Sequence, residues 1–582
     1  MAHLCLSLCS LLQSARQKPV LFCDGRSTTA AELHDQVALL SKTLTERLNT
    51  RPGDRIVLLG LNTDAFFTTL LSVLDAGAAA CPLNWRWSAA ELAAAISLLQ
   101  PKALFVDDYC MPLALQACAS LSAPNSGPPA PIVRMSPSPA SDQLSQQQFT
   151  RTLSIQTLLL REQQAAAHQG TAPPQFSYSS PACAAPALEP QEQQQPLPPQ
   201  LQLLHPSPRQ PALVVFTSGT TGASKGVMLS HTNLTHQSLA KLAVVQYSAA
   251  DTYLHMAPLF HIGGLSSAFA VLMAGGAHVL MPRYSPKTAL QLIQQHIVTS
   301  LIAVPAMMQD LTAAAAAAAV SASDGQQHQQ QQKQQQHQQQ QKQQPQLPSL
   351  QRVLVGAGGM PLRLQRAVAA LFPHAILQTA YGMTEASSSV TFVSVQEQQQ
   401  LMAAATTAAT AAAAAAADGA EGYGSSGRSV YAVGVCVGRP GPGIAVRIDL
   451  SALPSSSSSS SSSQHHQQHH RLQQQQLQQQ GEEGAGPAAA KAGVVGEVCT
   501  RGPHVMLGYW RDAQATSKAL SASGWLHTGL CLWATNEGGL RCALWGLCET
   551  REFKWVLRVS ACFSATCVAM LAGGMFLFMS HE

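Results

Sequence analysis

The sequence predicts an α/β protein: one large domain of several subdomains, its sheets covered by helices on both faces. Short apolar strands alternate with amphipathic helices, helix starts carry capping signals, and low-complexity stretches interrupt this pattern without replacing it. At 582 residues the chain is long enough for more than one domain.

In chain order, Thr29-x-x-Glu32 has the form of a capping box, and Leu33, Val37, Leu40, Leu44 and Leu48 then make one apolar helical stripe. Arg51-Pro-Gly-Asp54 turns the chain into a strand at Ile56 to Leu59, and Ala103 to Val106 reads as another buried strand. Val214 to Phe216 is a third, and Val353 to Met360 (VLVGAGGM) is a strand running into a glycine turn. Ile444 to Ile448 alternates like a strand, with Gly496 to Thr500 as its expected partner. The Ser/Gln run between them then replaces a hairpin loop, at small cost because closure entropy grows slowly with length.

Four low-complexity stretches are expected as disordered surface insertions: residues 136–210, 313–346, 396–428 and 451–491. Their Pro, Ser, Gln, Ala and Gly content buries too little apolar side chain to offset ordering entropy. They also explain a charged fraction of only 11%, and a net charge of +4 gives no argument for nucleic acid. The fourteen cysteines show no CxxC pair or finger-like spacing, so the spacing indicates neither zinc nor a disulfide framework, and a reducing compartment fits. His465, His466, His469 and His470 could bind metal weakly, but low complexity accounts for them better. Leu4 to Leu12 is a poor secretory signal, having His3 as its only basic-type residue before it and serines and cysteines within it.

The most informative stretch is Val214 to His231 (VVFTSGTTGASKGVMLSH). Glycines 219, 222 and 226 let backbone N–H groups converge on an anion, hydroxyls add donors, and Lys225 adds charge. This is not the P-loop of GTPases, which needs GK followed by Ser or Thr to hold a metal; here Gly226 follows the lysine. A flexible linker would rarely follow an apolar strand with such ordered spacing.

Thr217 to Gly226 (TSGTTGASKG) resembles the phosphate loop of the adenylate-forming superfamily, with Ser224 where proline is usual. Tyr381-Gly-Met-Thr-Glu385 matches that family's YGxTE element, and Pro258 to Gly264 (PLFHIGG) supplies a third. Leu83 to Ser88, Gln237 to Ala243, Tyr253 to Leu265, Val304 to Leu311 and Gly502 to Trp510 are similar to the plant-type 2-succinylbenzoate–CoA ligases of naphthoquinone (phylloquinone) biosynthesis.

The resemblance implies an acyl-CoA synthetase fold and an acid–CoA ligase using ATP, Mg²⁺ and coenzyme A on a small carboxylate, with no nucleic acid partner. It implies catalytic roles for Thr217, Lys225 and His261. Ser218, Gly219, Thr220, Thr221, Gly222 and Gly226 would hold phosphates, and Gly358 and Gly359 would line adenine and the acyl pocket. Tyr381, Gly382 and Thr384 would meet the nucleotide, and Glu385 would bind Mg²⁺, as a hard cation prefers. A helix-start carboxylate is the other reading of Glu385, and a structural histidine that of His261. A second substrate carboxylate needs a cation; Lys241 is a candidate, a solvated surface lysine the alternative. Family members are associated with plastids or peroxisomes, so a chloroplast is expected, with peroxisome or cytoplasm as alternatives.

The pattern breaks at residue 530. Gly524 to Gly529 (GWLHTG) precedes Leu530, where the family has an aspartate for the ribose hydroxyls. The family's hinge, CoA loop and small C-terminal domain are not recognisable beyond it, so the AMP-binding domain is expected over 1–530 and a non-family tail over 531–582. An out-of-frame gene model is the favoured account of that tail, over a shortened isoform or a tail anchor. Val559 to Met579 is uncharged but rich in Ser, Thr, Gly and Cys, a weak membrane signal. Little thioester formation is expected of this chain.

Overall fold

The structure, a computed structural model, describes residues 16–121, 130–135, 152–154, 209–217, 224–327, 347–401, 403, 407, 435–449, 495–534 and 540–542. Its helices start where the sequence places stops and caps. Thr29 caps the helix Ala30–Glu46, Glu32 accepts the Thr29 backbone N–H at 2.8 Å, and Leu33, Val37, Leu40 and Leu44 are buried. Each such side chain contributes roughly 1.5–3 kcal/mol when fully buried. Ser88 and Glu91 repeat the device at Ala89–Leu99.

Two sheets result. The first has eight strands, in the order Gly508–Tyr509, Lys225–Ser230, Pro211–Thr217, Ala79–Pro82, Arg55–Leu59, Ala103–Val106, Ile132–Arg134 and Thr152–Ser154. From Pro211–Thr217 onward the pairing is parallel, and the continuous apolar runs ALFV and IVLL suit strands covered on both faces. At the other edge Pro211–Thr217 folds back antiparallel onto Lys225–Ser230, and Gly508–Tyr509 adds to Lys225–Ser230.

The second sheet has thirteen strands. Its parallel centre runs Ile376–Met383, Arg352–Val355, Ser300–Ala303, Thr252–His255, Ala277–Leu280 and Pro19–Cys23, with Arg26–Thr29 at that edge. Beyond Ile376–Met383 it turns antiparallel through Ser388–Ser394, Val435–Pro440, Leu540–Cys542, Leu526–Ala534, Val495–Arg501 and Ala445–Asp449. The chain runs from Thr252–His255 to Ala277–Leu280 on one side, then crosses to Ser300–Ala303 on the other. That reversal is a switch point, where the loops leaving the carboxyl ends of the strands splay apart and leave a crevice.

The structure revises several insert boundaries. Ala445–Asp449 and Val495–Arg501 pair as the expected hairpin, Ala445 opposite Arg501 and Asp449 opposite Glu497. The stretch from 313 does not begin as disorder: the helix Pro305–Gln327 runs through the alanines and buries Leu311 and Ala315. Alanine costs least to hold in a helix, and a proline-led, packed first turn nucleates it. Residues 395–401 are helical too, with Gln398 buried against the Cys436 carbonyl. Thr152–Ser154 forms a sheet edge within 136–210. The strand Leu526–Ala534 crosses the expected boundary at 530 and pairs with Leu540–Cys542, so the sheet reaches into the segment read as tail. Val559 to Met579 and the histidines at 465–470 lie outside the described residues. Among those described, no helix is long and apolar enough to cross a membrane.

Candidate active site

Lys225 opens the strand Lys225–Ser230 directly opposite Thr217, the last residue of Pro211–Thr217. The phosphate-loop sequence therefore closes a β-hairpin, where a P-loop lysine would open a helix. Ser218, Gly219, Thr220, Thr221 and Gly222 lie outside the described residues; Thr217, Lys225 and Gly226 frame them.

The segment at 505–510 joins this hairpin to the second sheet. Tyr509 pairs with Val227, and the Trp510 N–H donates to the Gly226 carbonyl at 2.7 Å. The Lys225 ammonium stands 5.1 Å from the Tyr509 ring centre, and the Tyr509 hydroxyl donates to Glu385 Oε1 at 2.9 Å. Burial and the neighbouring Glu385 carboxylate push the Tyr509 phenol above its usual pKa, so it remains a donor. The sequence reading gave Tyr509 no role. Its signal was present in Gly508-Tyr-Trp510, but only pairing across 124 positions shows what it touches.

Glu385 sits in a 3₁₀ turn, Thr384–Ala386, at the carboxyl end of the strand Ile376–Met383. It is buried, at 8% exposure, and the Met506 N–H donates to its carbonyl at 2.8 Å. Among the described residues no cation pairs with its carboxylate. A buried carboxylate with only a phenol for partner has strong reason to take a cation, and the oxygen donor set suits a hard divalent ion such as Mg²⁺. Gly382 has no freedom to be anything else, since an added Cβ would lie 1.6 Å from the Ser388 carbonyl oxygen. Tyr381 packs against the core beside Val498 and Val446.

The loops of the switch point bring in the other expected residues. His261 follows the strand Thr252–His255 and caps the helix Ile262–Ala274, its Nδ1 accepting the Gly263 N–H at 3.1 Å. The neutral ring therefore carries its proton on Nε2. Its surface is accessible, yet surrounding protein holds its pKa below the usual imidazole value, as for a ring lining a recess. Gly358, with φ +149°, and Gly359 follow the strand Arg352–Val355; an added Cβ at Gly359 would meet nothing within 4 Å. The backbone there faces open space that a flat ligand could approach.

Residues 12–423 match the AMP-binding enzyme family. The chain belongs to that family. The curated relatives found are named as acid–thiol ligases. The chain is 29% identical over 542 residues to the 2-succinylbenzoate–CoA ligase, chloroplastic/peroxisomal, of Arabidopsis thaliana, covering 90% of this chain and 73% of that protein. It is 25% identical over 480 residues to the indoleacetate–CoA ligase of Aromatoleum aromaticum, covering 81% and 65%. The crystal structure of a putative long-chain-fatty-acid CoA ligase from Rhodopseudomonas palustris superposes with a TM-score of 0.60 at 18% identity, over 92% of this chain and 97% of that one. The shared fold is that of the AMP-binding enzymes.

Lys241 requires a correction within this AMP-binding fold. It is neither a surface lysine nor in contact with the cluster around Glu385. Its side chain is 0% exposed between the helices His231–Val245 and Ile262–Ala274, donating to Ser266 Oγ at 2.6 Å and Ser267 Oγ at 3.0 Å. Burial alone lowers its pKa to about 7. Helix periodicity around residue 241 does not distinguish this buried face, because its apolar neighbours surround the lysine in sequence on both sides.

Proposed function

We propose that this AMP-binding enzyme is an ATP-dependent acid–CoA ligase acting on 2-succinylbenzoate. The observation that carries the ligase reading is the line Lys225–Tyr509–Glu385, which spaces a cation and a buried carboxylate along one edge of the phosphate hairpin. The 29% identity to the Arabidopsis enzyme supports the substrate. In this reading the substrate carboxylate attacks the α-phosphorus of ATP, pyrophosphate leaves, and the CoA thiol then displaces AMP. Such chemistry asks mainly for positioning and charge stabilisation. Lys225 and the hairpin loop grip the departing phosphates, Tyr381 and the Gly358–Gly359 turn receive adenine, and His261 borders the acid. Glu385 would hold Mg²⁺, which supplies charge neutralisation when bound. The label of the Arabidopsis relative supports a chloroplast, with peroxisome as the alternative.

ATP–pyrophosphate exchange driven by a panel of acids tests this. Exchange is expected with 2-succinylbenzoate at least about tenfold above 4-coumarate, indoleacetate and a fatty acid, one decade being about 1.4 kcal/mol of discrimination. Glu385→Gln is expected to lose about 10²–10³-fold. Equal exchange with a fatty acid overturns the substrate, and full activity in Glu385→Gln overturns the cation role.

One residue favours a second reading, a nucleotide-binding homologue without turnover. Leu530 stands in the strand Leu526–Ala534 where the family carries its ribose-binding aspartate. Hydrogen bonds to a charged group contribute roughly 1.5–3 kcal/mol. Leu530→Asp is therefore expected to tighten ATP binding by about 10-fold or more, measured by calorimetry. Unchanged affinity would mean that the ribose is held elsewhere.

A further inference from the structure

A second cluster of chemistry-bearing side chains lies on the antiparallel end of the thirteen-stranded sheet, apart from the residues above. Strand alternation places Arg447 and Asp449, then Glu497 and Cys499, then His527 on one face of three adjacent strands, Ala445–Asp449, Val495–Arg501 and Leu526–Ala534. The register sets Cys499 directly opposite His527 on one side and Arg447 on the other, with Asp449 opposite Glu497. One ligand atom each from Asp449, Cys499 and His527 lie within 4.8 Å of one another.

The spacing is close to that of a coordination shell. Cys499 Sγ is 3.5 Å from His527 Nδ1. A tetrahedral zinc ion about 2.3 Å from a thiolate and about 2.0 Å from an imidazole nitrogen holds those two ligands about 3.5 Å apart. Glu497 Oε2 is 3.0 Å from the same Nδ1, and its Oε1 accepts the Gly529 N–H at 2.8 Å, which fixes its orientation. Sulfur, nitrogen and carboxylate donors together suit zinc and disfavour magnesium or calcium. Arg447 Nη2 stands 3.6 Å from Asp449 Oδ2, so Asp449 is shared and would be the weakest ligand.

We propose that Asp449, Cys499 and His527, with Glu497 as fourth donor, form a divalent transition-metal site of zinc type. On binding, the Cys499 S–H bond breaks, its proton leaves to solvent, and a sulfur–metal bond forms. The ion would tie together the two strands flanking residues 450–494 and the strand that carries residue 530. None of its four ligand residues is among those assigned above to phosphate, adenine or Mg²⁺, although His527 shares the strand that carries residue 530.

The test is titration of the chelator-treated full chain with Co²⁺, followed by competition with Zn²⁺. The expected result is one tight equivalent with a thiolate-to-cobalt absorption band, displaced by Zn²⁺. Cys499→Ser should abolish the band, and His527→Gln and Asp449→Asn should each weaken binding by about tenfold or more. Replacing His465, His466, His469 and His470 by Gln should leave the band unchanged. The proposal is overturned if the wild-type chain gives no thiolate band, or if the band survives Cys499→Ser. It is equally overturned if the band disappears with the four histidines, which would place the ion on that stretch. Circular dichroism of each variant confirms its fold; if Cys499→Ser is unfolded, Asp449→Asn decides, and unchanged affinity there overturns the four-ligand site.

Discussion

Lys225→Ala is expected to lower ATP–pyrophosphate exchange by about 10²–10³-fold, the usual cost of removing one preorganised charge from a group-transfer site. Lys225 is held in place by strand pairing to Thr217 and by the Tyr509 ring 5.1 Å from its ammonium. Among the described residues no carboxylate neutralises it, so its charge is available to an anionic ligand. Because it is only partly buried, the substitution should leave the melting behaviour nearly unchanged. Lys225→Arg should recover only part of the rate, since a broad planar guanidinium does not place its charge where a compact ammonium does. The expected loss falls chiefly in kcat, as it does when an interaction is made mainly in the transition state. Wild-type exchange in Lys225→Ala would reduce the loop to an ordinary hairpin turn.

Most of the architecture was legible because it depends on local signals. The capping box at Thr29 and Glu32, the turn at Arg51–Asp54 and the hairpin across residues 450–494 all rest on neighbours in sequence or on alternation, and all are present. Gly382 in the YGxTE element was legible for a different reason: its glycine is required by the chain's own backbone, since an added Cβ would collide with the Ser388 carbonyl. Composition misled where packing overrode it. The alanines after Leu311 look like low complexity, yet their low helix cost and the buried faces of Leu311 and Ala315 extend a helix through them. Tyr509 was hidden because its role comes from contacts with residues far away in the chain. Asp449, Cys499 and His527 were hidden likewise: a cysteine count by spacing cannot detect ligands from three strands brought into register.

Lys241→Met is expected to stabilise the protein near neutral pH by about 3–5 kcal/mol, an effect that fades as pH rises. The lysine is fully enclosed, its partners are two neutral hydroxyls, and among the described residues no carboxylate pairs with it. Burial lowers its pKa from 10.5 to about 7. Below about pH 7 both folded and unfolded chains carry the proton, and the full cost of burying the charge, on the order of 5 kcal/mol, is present. Between that value and 10.5 the unfolded chain binds more protons than the folded one, so wild-type stability rises with pH through this window. A methionine of similar length has no charge to desolvate, and its stability should show no such rise. Urea unfolding of both proteins at about pH 6.5 and about pH 9.5 measures the difference directly. The gap between them should be widest at the lower pH and mostly closed at the higher one. A gap that is independent of pH would mean that Lys241 keeps its proton in the folded chain throughout this range, as it would if an unseen anion reached it. A destabilised Lys241→Met would mean that the two serine hydroxyls, left with nothing to accept from Lys241, outweigh the relief of its charge.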